Sequence, residues 1–147
     1  SSVRPSIAAR CSMNGTVSEW IEKAEADYAM AGHDLASSPR PNFDGICFHA
    51  QQCAEKLMKA LLIHLALDPP RTHNLMLLDE LLRLVCAAWS CPVDDLRFLT
   101  HAAGALRYPG AVAEREDAEH AMNLCTRLRG TLLALLRDTK PAAQIRP

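Results

Sequence analysis

Aromatic residues are scarce in this chain: three Phe, two Trp and two Tyr make up 5% of 147 residues. Strands draw on aromatic and β-branched side chains, so this scarcity argues against a β fold. Glycine is sparse as well, at six residues. There is no Gly-rich phosphate loop, no serine nucleophile elbow and no HExxH helix. Net charge is nearly absent, because sixteen basic side chains face seventeen acidic ones and leave −1. That balance removes any whole-protein attraction to nucleic acid or to an anionic membrane, so such contacts would need a local patch. Long apolar runs are missing too: the longest, Leu61 to Leu67, is interrupted by His64 and is far too short to span a membrane. The six cysteines (Cys11, Cys47, Cys53, Cys86, Cys91 and Cys125) include no Cys-x-x-Cys pair. With no secretory signal pattern, they are expected to be reduced, mostly buried thiols of a cytoplasmic protein.

What is present is alanine and leucine, in a chain that is 49% apolar. These residues head the helix propensity scale, and the length suits one domain with a proper core. The expected fold class is all-α, an antiparallel up-and-down bundle of four long helices plus one short helix. Residues 1–15 read as a flexible N-terminal arm, 16–138 as the bundle domain and 139–147 as a C-terminal tail. The first helix opens at a capping box, Thr16 with Glu19, and runs to Ala36 with Trp20, Ile21, Ala24, Tyr28, Ala31 and Leu35 inward. Pro39 and Pro41 stop it. Asn42 or Asp44 caps a second helix that ends at Asp68-Pro69-Pro70. Thr72 is expected to cap the third, with Leu75, Leu78, Leu81, Leu82 and Val85 inward. A short fourth helix spans Val93 to Ala105, and Tyr108-Pro109-Gly110 breaks the chain again. The fifth begins at Glu114 and buries Ala118, Ala121, Leu124, Cys125, Leu128, Leu132 and Leu135.

The second helix, Phe43 to Leu67, carries the most unusual pattern. Ile46, Ala50, Cys53, Leu57, Ala60, Leu61 and His64-Leu65 form its apolar face, while His49, Gln52, Lys56 and Lys59 recur at intervals of three or four on another. Such a stripe is either a solvated face, with Glu55 and Lys59 as an i,i+4 ion pair, or a site turned toward a phosphate or a partner. No carboxylate or second histidine joins His49 and Cys53 on one helical face, so no metal site and no cofactor are expected. His64 reads as a core-edge histidine bonded to backbone, and His73-Asn74 as support for the third helix. Arg107-Tyr108-Pro109 holds an arginine in an extended segment, where its planar fork can reach a phosphate.

The run Phe48-His49-Ala50-Gln51-Gln52-Cys53-Ala54-Glu55-Lys56, continuing to Lys59-Ala60, resembles the F-H-A-Q-Q-A-A-E-K-x-x-K-A helix of the HEPN family, with Cys53 in place of an alanine. Trp20, Ala24 and Asp27 resemble that family's first helix, Thr72-His73-Asn74-Leu75 its T-H-D-L segment, and Arg107-Tyr108-Pro109 its R-Y-P element. The resemblance implies a bundle of about five helices, a homodimer, and a toxin–antitoxin-type system shared with a minimal nucleotidyltransferase partner. It also implies a nucleotide or RNA ligand, with His49, Gln52, Lys56, Lys59, Arg107 and Tyr108 as the binding residues. Toxic members are metal-independent ribonucleases with an Arg-x(4–6)-His motif, in which the arginine stabilises the phosphate and the histidine moves a proton. Arg115 and His120 fit that spacing. On a regular helix, however, positions five apart point about 140° away from each other. Glu116, Asp117 and Glu119 would also repel an RNA backbone. Counting from Arg107, the histidine positions hold Val112, Ala113 and Glu114. The expectation is therefore a non-catalytic binding protein, with a ribonuclease using Arg115 and His120, or a pure dimerisation scaffold, as the competing readings.

Overall fold

The structure is a computed structural model that describes residues 15–104, 109–110 and 112–142. Among these residues the chain forms five α-helices and no strand: α1 (Val17–Ser37), α2 (Phe43–His64), α3 (Leu75–Val85), α4 (Val93–Gly104) and α5 (Arg115–Asp138). The all-helical bundle read from the sequence is thus present. The helices α1, α2 and α5 have 21, 22 and 24 residues, whereas α3, counted among the long helices from sequence, has 11 and α4 has 12.

Each boundary has a local cause. Thr16 accepts a hydrogen bond from the Glu19 amide and caps α1. At α2 the choice between two caps resolves to Asn42, whose side chain accepts from the Gly45 amide at 3.0 Å. Asp44 instead accepts from the Ala113 amide at 2.6 Å, tying the segment before α5 to the start of α2. The expected cap at Thr72 is corrected: Asn74 caps α3 through the Met76 amide, while the Thr72 hydroxyl accepts from the Asn74 amide one step earlier. The helix starts late because His73 is drawn out of it by contacts to α2. It ends early because the chain turns at Cys86 to bring the Trp89 indole N–H to Asp79 at 2.8 Å. The fifth helix opens with a capping box between Glu114 and Asp117.

α2 is the central element and packs against the other four helices. Of its expected apolar face, Ile46, Ala50, Cys53, Leu57, Ala60 and Leu61 are buried, while His64 and Leu65 at its end are only partly so. α1 covers one side through Ala24 and Ala31, and α5 another through Ala118, Ala121, Leu124 and Leu132. Small residues at the contact faces of α1, α2 and α5 let these helices approach closely, so polar groups along the α1–α2 seam are driven together rather than out to water. Several inward expectations shift: Val85 is 37% exposed, and Trp20, Ile21, Tyr28, Leu35, Leu81 and Leu135 are only partly buried. Cys47, Cys53, Cys86, Cys91 and Cys125 are free, buried thiols. His64 takes the backbone role foreseen for it, its Nε2 lying 2.6 Å from the Thr139 carbonyl at the far end of α2. Among the described residues no helix is long and apolar enough to cross a membrane.

Candidate functional site

The polar stripe of α2 is not a solvated face. Two carboxylates, one from α1 and one from α2 itself, organise it into two clusters. In the first, Asp27 of α1 takes the His49 ring through Oδ1 (Nδ1 at 2.7 Å) and the Lys56 ammonium through Oδ2. The Asp27 side chain is 10% exposed, yet His49 and Lys56 keep 27% and 20% of theirs open to solvent. The Phe48 ring meets His49 edge-on at 5.3 Å between centroids and so helps to fix its plane.

In the second cluster Glu55 is the hub. Its Oε2 receives the Lys59 ammonium at 3.0 Å, and its Oε1 receives Gln51 at 3.0 Å, His73 Nδ1 at 2.9 Å and Gln52 at 3.4 Å. Gln51 also donates to the His73 carbonyl, and Gln52 donates to Gln51 Oε1 at 2.8 Å. Glu55 and Lys59 are nearly sealed from water, whereas the His73 ring projects outward at 60% exposure. Lys59 also lies 5.6 Å from the centre of the Trp20 ring. No buried side-chain nitrogen or oxygen among the described residues lacks a hydrogen-bond partner. That closure is what allows two carboxylates to sit inside a helical seam without a large desolvation cost.

A shared logic orients both histidines. A carboxylate at neutral pH only accepts, so each ring donates its Nδ1 proton to the acid beside it. The sequence-predicted residues His49, Gln52 and Lys56 do lie together on the partly open edge of α2. Lys59 lies on the same stripe but is spent on Glu55 and Trp20. Arg107 and Tyr108 lie outside the described residues. Arg115 and His120 are not brought together. The Arg115 guanidinium stacks over Phe43 of α2 at 5.0 Å, while the His120 ring packs edge-on against Phe98 of α4 at 4.4 Å. Among the described residues no three His, Cys, Asp or Glu side chains converge as metal ligands.

Asp27, Gln51 and His73 were not foreseen as site residues. Asp27 had a readable signal: Ala24, Asp27 and Ala31 follow the three-and-four spacing of a buried stripe. An acid in that register calls for a cation opposite it. Cys53 of α2 is fully buried, and its hydrogen bond with Cys125 of α5 together with burial raises its pKa far above the ordinary value. Burial, with lesser contributions from Asp117 and Asp44, pushes Cys47 up to about 11. These thiols belong to the core, not to the site.

The HEPN domain pattern matches residues 17–135, which takes in all but the last three residues of α5 and both polar clusters. The chain belongs to the HEPN domain family. Among solved structures, ST0689, described as an archaeal HEPN homologue, is 24% identical and superposes with a TM-score of 0.60 over 83% of this chain and 98% of its own. TT1696 from Thermus thermophilus is 20% identical, with a TM-score of 0.64 over 80% of this chain and 96% of its own. At these identities the likeness concerns the fold. No curated protein matches the chain. Within this HEPN domain the F-H-A-Q-Q stretch is the wall of two carboxylate-centred clusters, one nearly closed and one half-open.

Proposed function

We propose that this HEPN domain is a non-catalytic nucleotide-binding module that works as a homodimer with a nucleotidyltransferase partner in a toxin–antitoxin-type system. The observation that carries the binding role is the half-open Asp27 cluster. Lys56 gives one of its three N–H donors to Asp27 and keeps the others for a ligand phosphate, with His49 held beside it on the same carboxylate. Gln52 lies one turn from His49 on the same edge. Lys59 leaves the binding set and becomes structural, because a buried ammonium already paired with Glu55 has little to offer a ligand. The partner and the paired system rest on the family resemblance.

The non-catalytic part of the reading is supported by the divergence of Arg115 and His120 onto Phe43 and Phe98. In-line attack by a 2′-hydroxyl needs the phosphate-binding arginine and the proton-transferring histidine on one phosphodiester. Incubating the protein with RNA in EDTA should leave the RNA intact. Titrating ATP into wild type and Lys56→Ala should show binding that the substitution weakens about tenfold or more, as expected for loss of a charge-assisted hydrogen bond. RNA cleavage that disappears in His120→Ala would reverse the assignment.

A further inference from the structure

α3 is apolar on both of its faces. Of its 11 residues only Asp79, Glu80 and Arg83 are polar. Leu75, Leu78 and Leu82 lie in the core and are fully buried. On the opposite side Leu84 is 79% exposed, Leu77 and Val85 are exposed too, and Leu81 between them is only partly buried. Leu77, Leu81 and Leu84 follow the four-then-three spacing of a coiled-coil seam, the pattern by which one helix receives another alongside it. A helix that is apolar all round is ordinarily enclosed, and a contiguous exposed apolar stripe marks a surface that another chain covers.

The charges on α3 decide what kind of chain that is. Arg83 is already engaged, donating to the Asp79 carboxylate at 2.9 Å and to the Cys91 carbonyl at 3.1 Å. Glu80 borders the stripe, is exposed, and pairs with no cation among the described residues. A second copy of the chain does not supply one. Packed side by side and antiparallel, with Leu77 opposite Leu84, two α3 helices set Glu80 against Glu80; packed parallel, they set Glu80 against Val85. The first arrangement repels and the second leaves the carboxylate without a partner beside an apolar contact. From this geometry we infer that the outer face of α3 docks an amphipathic helix of a different protein, whose apolar seam fills the Leu77–Leu81–Leu84 stripe and whose flanking lysine or arginine meets Glu80. Docking here is independent of the polar clusters of α2, and the homodimer proposed above would close through another face.

The test uses two synthetic, hydrocarbon-stapled helices with leucine at the same four-and-three spacing, one flanked by lysine and the other by glutamate. Each is fluorescently labelled and titrated by anisotropy against the full chain, Glu80→Lys and Leu84→Asp, while sedimentation velocity records the oligomeric state. Leu84 is largely exposed, so Leu84→Asp should leave the circular dichroism unchanged. The lysine-flanked helix should bind the unaltered protein about fivefold or more tightly than the glutamate-flanked one, as expected for one interfacial charge pair. In Glu80→Lys that order should reverse, and in Leu84→Asp both helices should lose about tenfold or more in affinity. Equal binding of the two helices to the unaltered protein, or an order that Glu80→Lys leaves as it was, would overturn the basic flank. Binding undiminished in Leu84→Asp, or no binding to the unaltered protein, would overturn the docking face. A dimer that Leu84→Asp dissociates would assign the stripe to a second copy and overturn the inference as well. The two-helix comparison needs no variant, so it decides the charge preference even if a substituted chain folds poorly.

Discussion

Replacing Glu55 by Gln tests whether the α2 stripe is a buried hub or an ordinary helical ion pair. The side chain keeps its size and loses its charge. In the protein Glu55 Oε2 is the partner of Lys59, whose side chain is 8% exposed, and Oε1 collects Gln51, Gln52 and His73. An amide can accept at only one of these two positions and must donate at the other, so a donor meets either the Lys59 ammonium or the Gln51–His73 pair. Breaking a buried pair by removing one partner costs about 3–5 kcal/mol, because the remaining charge is left uncompensated. An exposed i,i+4 pair contributes about 0.3–0.5 kcal/mol. Those ranges do not overlap. With a urea slope of about 2 kcal/mol/M, the buried case lowers the denaturation midpoint by about 1.5–2.5 M and the exposed case by about 0.2 M. Lys59→Met should cost less than Glu55→Gln, since Glu55 would still accept from Gln51, Gln52 and His73. The double variant should then be less destabilised than the sum by at least about 1 kcal/mol. A Glu55→Gln loss below about 1 kcal/mol, or strict additivity with Lys59→Met, would refute the hub.

Other perturbations probe the rest of the seam and core. Asp79 accepts from the Trp89 indole at 2.8 Å and from Arg83 at 2.9 Å, so Asp79→Ala should cost about 2–3 kcal/mol and reduce the near-ultraviolet circular dichroism of the buried tryptophan. Arg129 forms a forked pair with Glu25 (2.8 and 3.0 Å) while stacking on Tyr28 at 4.5 Å. Arg129→Lys, which keeps charge but loses the fork, should therefore behave more like Arg129→Ala than like wild type in thermal denaturation. Cys47 and Cys91 are both pushed up to about 11, mainly by burial. A folded-state pKa above the unfolded 9.0 means the folded chain holds these protons more tightly. Their contribution to stability is complete below pH 9 and is lost as pH rises through about 11, by up to about 1.4 kcal/mol per pH unit for each thiol. Urea midpoints measured from pH 8 to 10.5 should fall in that window, and less steeply in Cys47→Ala; a flat profile would contradict the burial. Iodoacetamide at pH 8 should alkylate the folded protein at these thiols about a hundredfold more slowly than the unfolded chain.

The helices were legible because their information is local. Period-3.6 stripes, Pro39, Pro41 and the Thr16 and Asn42 caps sit in the same few residues whose structure they decide. The site was only half legible. His49, Gln52 and Lys56 were visible as a stripe, but a stripe has no address until its partners are known. Asp27 comes from 22 residues before His49, and His73 reaches Glu55 from 18 residues beyond it. Periodicity within one helix cannot report either. Lys59 shows the same limit: its helical position matches that of a ligand-facing cation, and the Trp20 ring and the Glu55 carboxylate around it come from contacts that periodicity does not report. The α3 cap was assigned to Thr72 because threonine, asparagine and aspartate compete for that role, and two candidates two residues apart satisfy the same local rule.

The shared carboxylate also bears on how tightly such a site can bind. A phosphate bound by Lys56 would lie one hydrogen-bond layer from Asp27. Two like charges about 6 Å apart repel by about 3 kcal/mol at an effective dielectric of about 20, enough to offset much of what the lysine contributes. A site built only for anion affinity would leave that lysine unpaired. Asp27 instead supplies what a bare cation lacks: by accepting from His49 Nδ1 and from Lys56 it fixes the direction of both side chains. On the proposed phosphate-binding reading, affinity is thereby exchanged for orientation.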